Sequence, residues 1–277
     1  MEIVEYEIFN AADLKLNSWE IKDADWRTDL GLLAILKQKE QFKVIVGNDN
    51  IFTPSLLITV EYPIVRWVNK ERILLANPRN ETGEDNVFLL DVNGCLLNSF
   101  NAGDGIMDIV VKEEGIWFSY FDEGVFGEGI SREGLVLFSF SGNPLFVYHS
   151  GLSDRPFLTS CDAMCVGDGA EVWIFPIMMP DVDPALLKVN AKSNTITSIL
   201  APELPYEPTA LSVRGKDVYF SSQFDPEGNL YYWEIGTENP QLAGQLKGTI
   251  RSLQTSDPYP FVAVTEKTIK LIRVFFE

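Results

Sequence analysis

One arrangement of strands recurs along the chain at a spacing that few folds supply. The strands ILLAN, IWFSY, VWIFP, VYFSS and FVAVT begin at Ile73, Ile116, Val172, Val218 and Phe261, with onsets 43, 56, 46 and 43 residues apart. Each follows a shorter apolar run (IVRWV, MDIVV, AMCVG, ALSVR, RSLQT) and a polar turn. Each precedes a variable loop and a third strand: NVFLLDV from Asn86, GLVLFSF from Gly134, ALLKVN from Ala185, NLYYWEI from Asn229 and TIKLIRV from Thr268. CLLNSF, PLFVYHS, TITSIL and PQLAGQL occupy the fourth slot. A four-stranded meander, A to D, repeating every 40 to 50 residues or so is the period of a propeller blade.

An average spacing of 47 fits about six blades into 277 residues. The predicted fold is all-β: a single domain, 1–277, of six four-stranded blades. The blades fall at about 11–61, 62–105, 106–158, 159–207, 208–249 and 250–277. The last unit stops at strand C, so residues 1–10 (MEIVEYEIFN) are expected to supply its outer strand and close the ring, which removes an unpaired edge. In blade one the strands are expected in LKLNSWEI, LGLLAILK, FKVIVG and SLLITVE. The stretch Thr28–Gln41 carries a weak helical period but also reads as two strands and a turn. Two β-sandwiches would share the short strands but not the even spacing and matching order. A parallel α/β fold lacks its helices. Strands such as IWFSY are apolar at nearly every position, as a blade buried on both faces requires.

The repeat resembles the β-propeller class, in particular its six-bladed members. The resemblance is one of architecture: there is no WD dipeptide at blade ends, no kelch Gly-Gly signature and no aspartate-box pattern. Six-bladed propellers include calcium-dependent sugar lactonases, whose metal sits at the channel mouth. Fold alone does not select a function.

Charge narrows the partners. Forty acidic against 22 basic residues give a net charge of -18, which repels a polyphosphate backbone and an anionic membrane surface. No apolar stretch approaches the ~20 residues of a membrane helix, and the N-terminus does not read as a signal peptide. The expectation is a cytoplasmic protein with a protein or polar small-molecule partner, cationic ones included. Cys95, Cys161 and Cys165 are read as buried free thiols.

Candidate site residues lie in two places. The B–C loops carry an acidic rim: Glu81, Glu84, Asp85, Asp122, Glu123, Glu128, Asp181, Asp183, Asp225 and Glu227. The loop after Tyr120 adds four apolar residues, Phe121, Val125, Phe126 and Ile130, which an exposed loop does not carry unless they pack or bind something. FDEG at Phe121 to Gly124 is echoed by FDPEG at Phe224 to Gly228, so its first role is that of a repeated turn. The inner strands place Arg66, Asp108, Asp162 and Arg251 along or near the channel, as a salt-bridged plug or, for Asp108 and Asp162, as oxygen ligands of calcium or another divalent cation. His149 closes a D strand near the rim. No nucleophile elbow, phosphate cradle or dinucleotide fingerprint is present. The leading expectation is a non-catalytic binding protein using the loop-bearing face, with no catalytic residue and no required cofactor. The alternative is a metal-dependent hydrolase or lactonase with carboxylates at the channel.

Overall fold

The computed structural model describes residues 1–47, 50–54, 60, 62–153, 155–179 and 182–275. After β1 (Glu2–Asn10), blade one runs β2 (Glu20–Arg27), β3 (Gly31–Gln38), β4 (Gln41–Val46) and β5 (Asn50–Phe52). Blade two is β6 (Ile64–Asn69), β7 (Arg72–Ala76), β8 (Val87–Asp91) and β9 (Leu96–Phe100). Blade three is β10 (Ile106–Lys112), β11 (Gly115–Tyr120), β12 (Leu135–Phe138) and β13 (Pro144–Val147), with a one-turn helix α1 (Asp122–Val125) and a 3-10 turn (Gly129–Glu133) inserted between β11 and β12. Blade four is β14 (Leu158–Val166), β15 (Glu171–Met178), β16 (Ala185–Asn190) and β17 (Thr195–Leu200). Blade five is β18 (Ala210–Arg214), β19 (Asp217–Ser221), β20 (Asn229–Glu234) and β21 (Gln241–Gln245). Blade six is β22 (Thr249–Ser252), β23 (Phe261–Val264) and β24 (Thr268–Phe275), completed by β1.

The six sheets each order their strands A-B-C-D from the axis outward, and all pairs are antiparallel. The closure is a long one: β1 pairs with β24 from Glu2 opposite Phe275 to Asn10 opposite Thr268. This satisfies an edge that would otherwise expose a row of backbone donors and acceptors.

Burial follows the period of two, with both phases in the core. In β7, Ile73 and Leu75 pack toward blade one, while Leu74 and Ala76 pack toward blade three. In β11, Ile116 and Phe118 face blade two and Trp117 faces blade four. Six apolar clusters result, one in each interface between neighbouring blades. Fully burying one such side chain stabilises by about 1.5–3 kcal/mol. The stacked interfaces, rather than hairpin propensity, therefore hold the ring.

Blade one departs from its expected strands. The A strand is β2, not Leu14–Ile21, because residues 11–19 are turns whose Ala11, Leu16 and Trp19 fill the interface of blades one and six. An apolar turn that packs has the composition of a strand. The D strand is Asn50–Phe52; of the expected SLLITVE, residues 55–59 and 61 lie outside the described residues. Thr28–Gln41 holds a turn and β3, with no helix. Cys161 and Cys165 are buried, but Cys95 is exposed because it sits in the C–D turn.

Candidate functional site

The six inner strands bring charged side chains from different blades together around the axis. Asp23 on β2 is the hub, with 0 % of its surface exposed. Its Oδ2 accepts from Arg66 Nη1 at 2.7 Å and from the Val65 amide at 2.9 Å, and its Oδ1 accepts from Arg251 Nε at 2.7 Å. Arg66 reaches on to Asp108 Oδ1 through Nη2 at 2.8 Å and donates to the carbonyls of Ile109 and Val65. Burial pushes the Asp23 carboxyl up, but Arg251 and Arg66 outweigh it and hold the group below the ordinary carboxylate range. Arg251, Asp23, Arg66 and Asp108 thus tie blades six, one, two and three in series.

Of the expected channel residues, Arg66, Asp108 and Arg251 are brought into this plug and Asp162 is not. The sequence reading does not reach Asp23, because it places strand A of blade one at Leu14–Ile21 and the structure places it at Glu20–Arg27. The structure marks these aspartates locally: the strand registers shift between Ile21 and Asp23, between Ile106 and Asp108, and again between Ser160 and Ala163 around Asp162. A β-bulge re-aims a side chain, and all three aspartates sit at one.

At the other end of the inner strands, hydrogen bonds tie A–B turns of different blades together. Arg214 donates to the carbonyls of Asp257, Tyr259 and Gln254, and Asp257 accepts from the Thr28 amide at 2.8 Å. Next to the plug, a half-open pocket of about 30 Å³ is lined in part by Asp25, Arg66 and Gln254, room for a water or two. Asp25 accepts the Trp67 and Trp26 amides, and burial raises its carboxyl to about 6.

The opposite, loop-bearing end is different. Asp162 is 6 % exposed, and its Oδ1 accepts a short hydrogen bond from Ser160 Oγ. No ion pair reaches it among the described residues. Burial raises its carboxyl to about 6; the Ser160 hydrogen bond opposes this, and the charges of Glu207, Asp122 and Glu123 add to it. Ser160 is paired with Ile177, which also lines a cleft of about 300 Å³ between the B–C loop of blade four and the connection to blade five. Met178, Met179, Leu204, Tyr206, Glu203 and Glu207 share that lining.

The loop after Tyr120 packs more than it projects. Val125 is buried and Ile130 lies against the same cluster between blades two and three. The Arg79 guanidinium lies 5.8 Å from the ring centre of Phe121 and bonds Asp104 at 3.1 Å. Phe126 alone turns outward, 64 % exposed. The glycines of FDEG and GDG face one another: a Cβ on Gly105 would lie 2.6 Å from the Gly124 nitrogen, and one on Gly124 would lie 2.5 Å from the Asp104 carbonyl. Gly105 also holds φ +73°, so these two motifs are a close backbone contact. Asp122 and Glu123 stay exposed. Asp225 is buried and caps its own turn, accepting from the Glu227 amide at 2.9 Å and from Asn229 at 3.0 Å. Glu227 is exposed and accepts from Asn229. Asp181 lies outside the described residues. No group of three or more His, Cys, Asp or Glu side chains is placed to hold a metal ion among the described residues, and Asp108 is engaged by Arg66.

His149 is fixed as a neutral packing residue. Nδ1 donates to the Arg132 carbonyl at 2.6 Å, Nε2 accepts from the Leu158 amide at 3.1 Å, and the ring stacks on Phe157 at 4.4 Å. Burial holds its pKa below the usual value. Both nitrogens are occupied by backbone, so neither is free to take a substrate proton. Burial likewise pushes the Cys165 thiol up to about 12, far from a nucleophilic thiolate.

The chain is a six-bladed β-propeller closed by its N-terminal strand. No family model matches the sequence, and the search of curated proteins finds no match. Among solved structures, virginiamycin B lyase from Staphylococcus aureus aligns over 99% of this chain and 100% of its own, with TM-score 0.59 and 11% identity. A streptogramin B lyase aligns over 99% and 98%, with TM-score 0.53 and 10% identity. YCF48 bound to D1 peptide aligns over 99% and 97%, with TM-score 0.51 and 9% identity. At such identities the likeness is one of fold. That fold is shared by structures named as lyases and by one bound to a peptide. No helix among the described residues is long and apolar enough to cross a membrane.

Proposed function

We propose that the protein is a small-molecule enzyme that transfers a proton at the loop-bearing mouth of the channel, with Asp162 as its general acid–base. The observation that carries this is a buried carboxyl raised to about 6 and bonded to the hydroxyl of Ser160, whose strand partner Ile177 lines a cleft of about 300 Å³. Acid–base catalysis is most effective when the group's pKa lies near the working pH, and perturbed carboxyls in clefts mark functional sites more often than chance. The other channel aspartates suit this role less well: Asp23 and Asp108 are neutralised by arginines, and Asp25, raised to the same value, is held by the Trp26 and Trp67 amides beside a pocket of only about 30 Å³. Two of the fold neighbours are named lyases, so this fold is one that carries enzymes. Because Asp108 is engaged, the reading rests on proton transfer rather than on a metal held by Asp108 and Asp162.

The test is the Asp162 titration followed by carbon NMR on protein labelled at aspartate carboxyl carbons, with assignment by Asp162→Asn. A value within about a unit of 6 is expected; a value in the ordinary range near 4 removes the reading. Turnover of a simple lactone such as dihydrocoumarin should show the same inflection and lose it in Asp162→Asn.

A binding role for the same face has its own support in Phe126 and Phe224, 64 % and 54 % exposed on B–C loops. A protein partner seated there would be lost in Phe126→Ala with turnover intact.

A further inference from the structure

We infer that the cleft between blades four and five binds an organic cation, an amine or quaternary ammonium on an apolar body. This rests on the reading of the channel mouth as a small-molecule site and names the chemistry of what enters it. The walls are apolar where they are deepest: Phe175 and Pro184 are buried or half-buried, and Ile177, Met178 and Leu204 continue the surface. Pro176, Pro184, Pro202 and Pro208 fix φ along both sides, so the walls are set before a ligand arrives and ordering costs little. Methionine supplies adaptable contact. A volume of about 300 Å³ is at the small end of ligand pockets.

The polar groups of the cleft are of one sign. Glu203 and Glu207 are carboxylates on the connection from blade four to blade five, and no lysine or arginine lines the cleft among the described residues. Asp162 lies close enough for Glu207, Asp122 and Glu123 to act on it. Glu203 and Glu207 are exposed at the edge of the apolar wall, and both attract a cation that enters beside them. An anion would meet these carboxylates and the field of a chain at -18. A neutral ligand would fill the walls and gain nothing from the charges. Tyr206 lines the cleft 39 % exposed and offers a ring face on which a cation gains further.

The experiment titrates the full chain by calorimetry with phenethylamine, 2-phenylethanol and 3-phenylpropionate, three ligands of one shape and different charge. The amine is expected to bind roughly tenfold tighter than the alcohol, the anion not measurably. The amine advantage should vanish in Glu203→Gln/Glu207→Gln and shrink with added salt. Equal binding of amine and alcohol, no binding of millimolar amine, or an advantage unchanged in the double variant overturns the assignment. The Asp162→Asn variant separates the two readings. It should keep amine binding while losing turnover. Amine binding together with an ordinary Asp162 titration leaves this site and removes the catalytic role.

Discussion

Replacing Arg66 by methionine tests whether the channel plug is part of what holds four blades together. Methionine keeps most of the stem and removes the guanidinium. The change deletes hydrogen bonds to Asp23, Asp108, and the carbonyls of Ile109 and Val65. Asp23 retains Arg251 and the Val65 amide, whereas Asp108 loses its ion pair. Breaking a buried pair by removing one partner costs about 3–5 kcal/mol, and two carboxylates here share one arginine, so about 5 kcal/mol is expected. An unfolding entropy of ~2.1 cal/mol/K per residue gives this chain of 277 residues about 0.6 kcal/mol/K. Calorimetry at pH 7.5 should therefore show Tm lower by about 8 °C. The pH dependence supplies a second readout. In the native protein the Asp23 pKa is lowered, so its contribution is present above the unfolded value and lost as pH falls through the folded one. In the variant burial is opposed by Arg251 and the Val65 amide without Arg66, so that pKa rises and less of the carboxylate's contribution remains. The gap between the two proteins must therefore narrow as pH falls below about 4. A Tm change under about 2 °C, or a gap that does not move with pH, refutes the account.

Other perturbations probe the remaining supports. Gly105→Ala forces a Cβ against the Gly124 backbone at positive φ; it should cost about 1–3 kcal/mol and increase amide exchange across 121–134, both checked by exchange mass spectrometry. His149→Ala removes two side-chain bonds to buried backbone and should cost about 2–3 kcal/mol with turnover unchanged. Because the His149 pKa is lowered, its contribution is full above the unfolded value and lost as pH falls through the folded value, so the gap to His149→Ala narrows in acid. Deleting residues 1–10 bares β24 and should produce concentration-dependent association in sedimentation, by edge pairing.

The blade period, the strand type and the ring closure were legible in the sequence because each is a local pattern repeated. An apolar run on both phases of β7 or β11 already requires neighbours on both faces, and a last unit short of one strand requires a donor. The turn nature of FDEG was visible from its echo, although the one-turn helix and the glycine contact behind it were not. His149 could be placed near the rim, but its two backbone partners come from Arg132 and Leu158, on either side of a blade junction.

The sequence by itself thus determined that this chain folds into six stacked blades, since alternation and spacing are properties of consecutive residues. Only the tertiary structure decided which charges meet. Asp23, Arg66, Asp108 and Arg251 lie on four different blades, and their pairing depends on channel radius and on bulges that turn single side chains inward. The same geometry leaves Asp162, on blade four, without an ion pair among the described residues. Composition treats these aspartates alike; burial and the distance to a guanidinium make two of them a plug and leave Asp162 with a raised carboxyl and a serine partner.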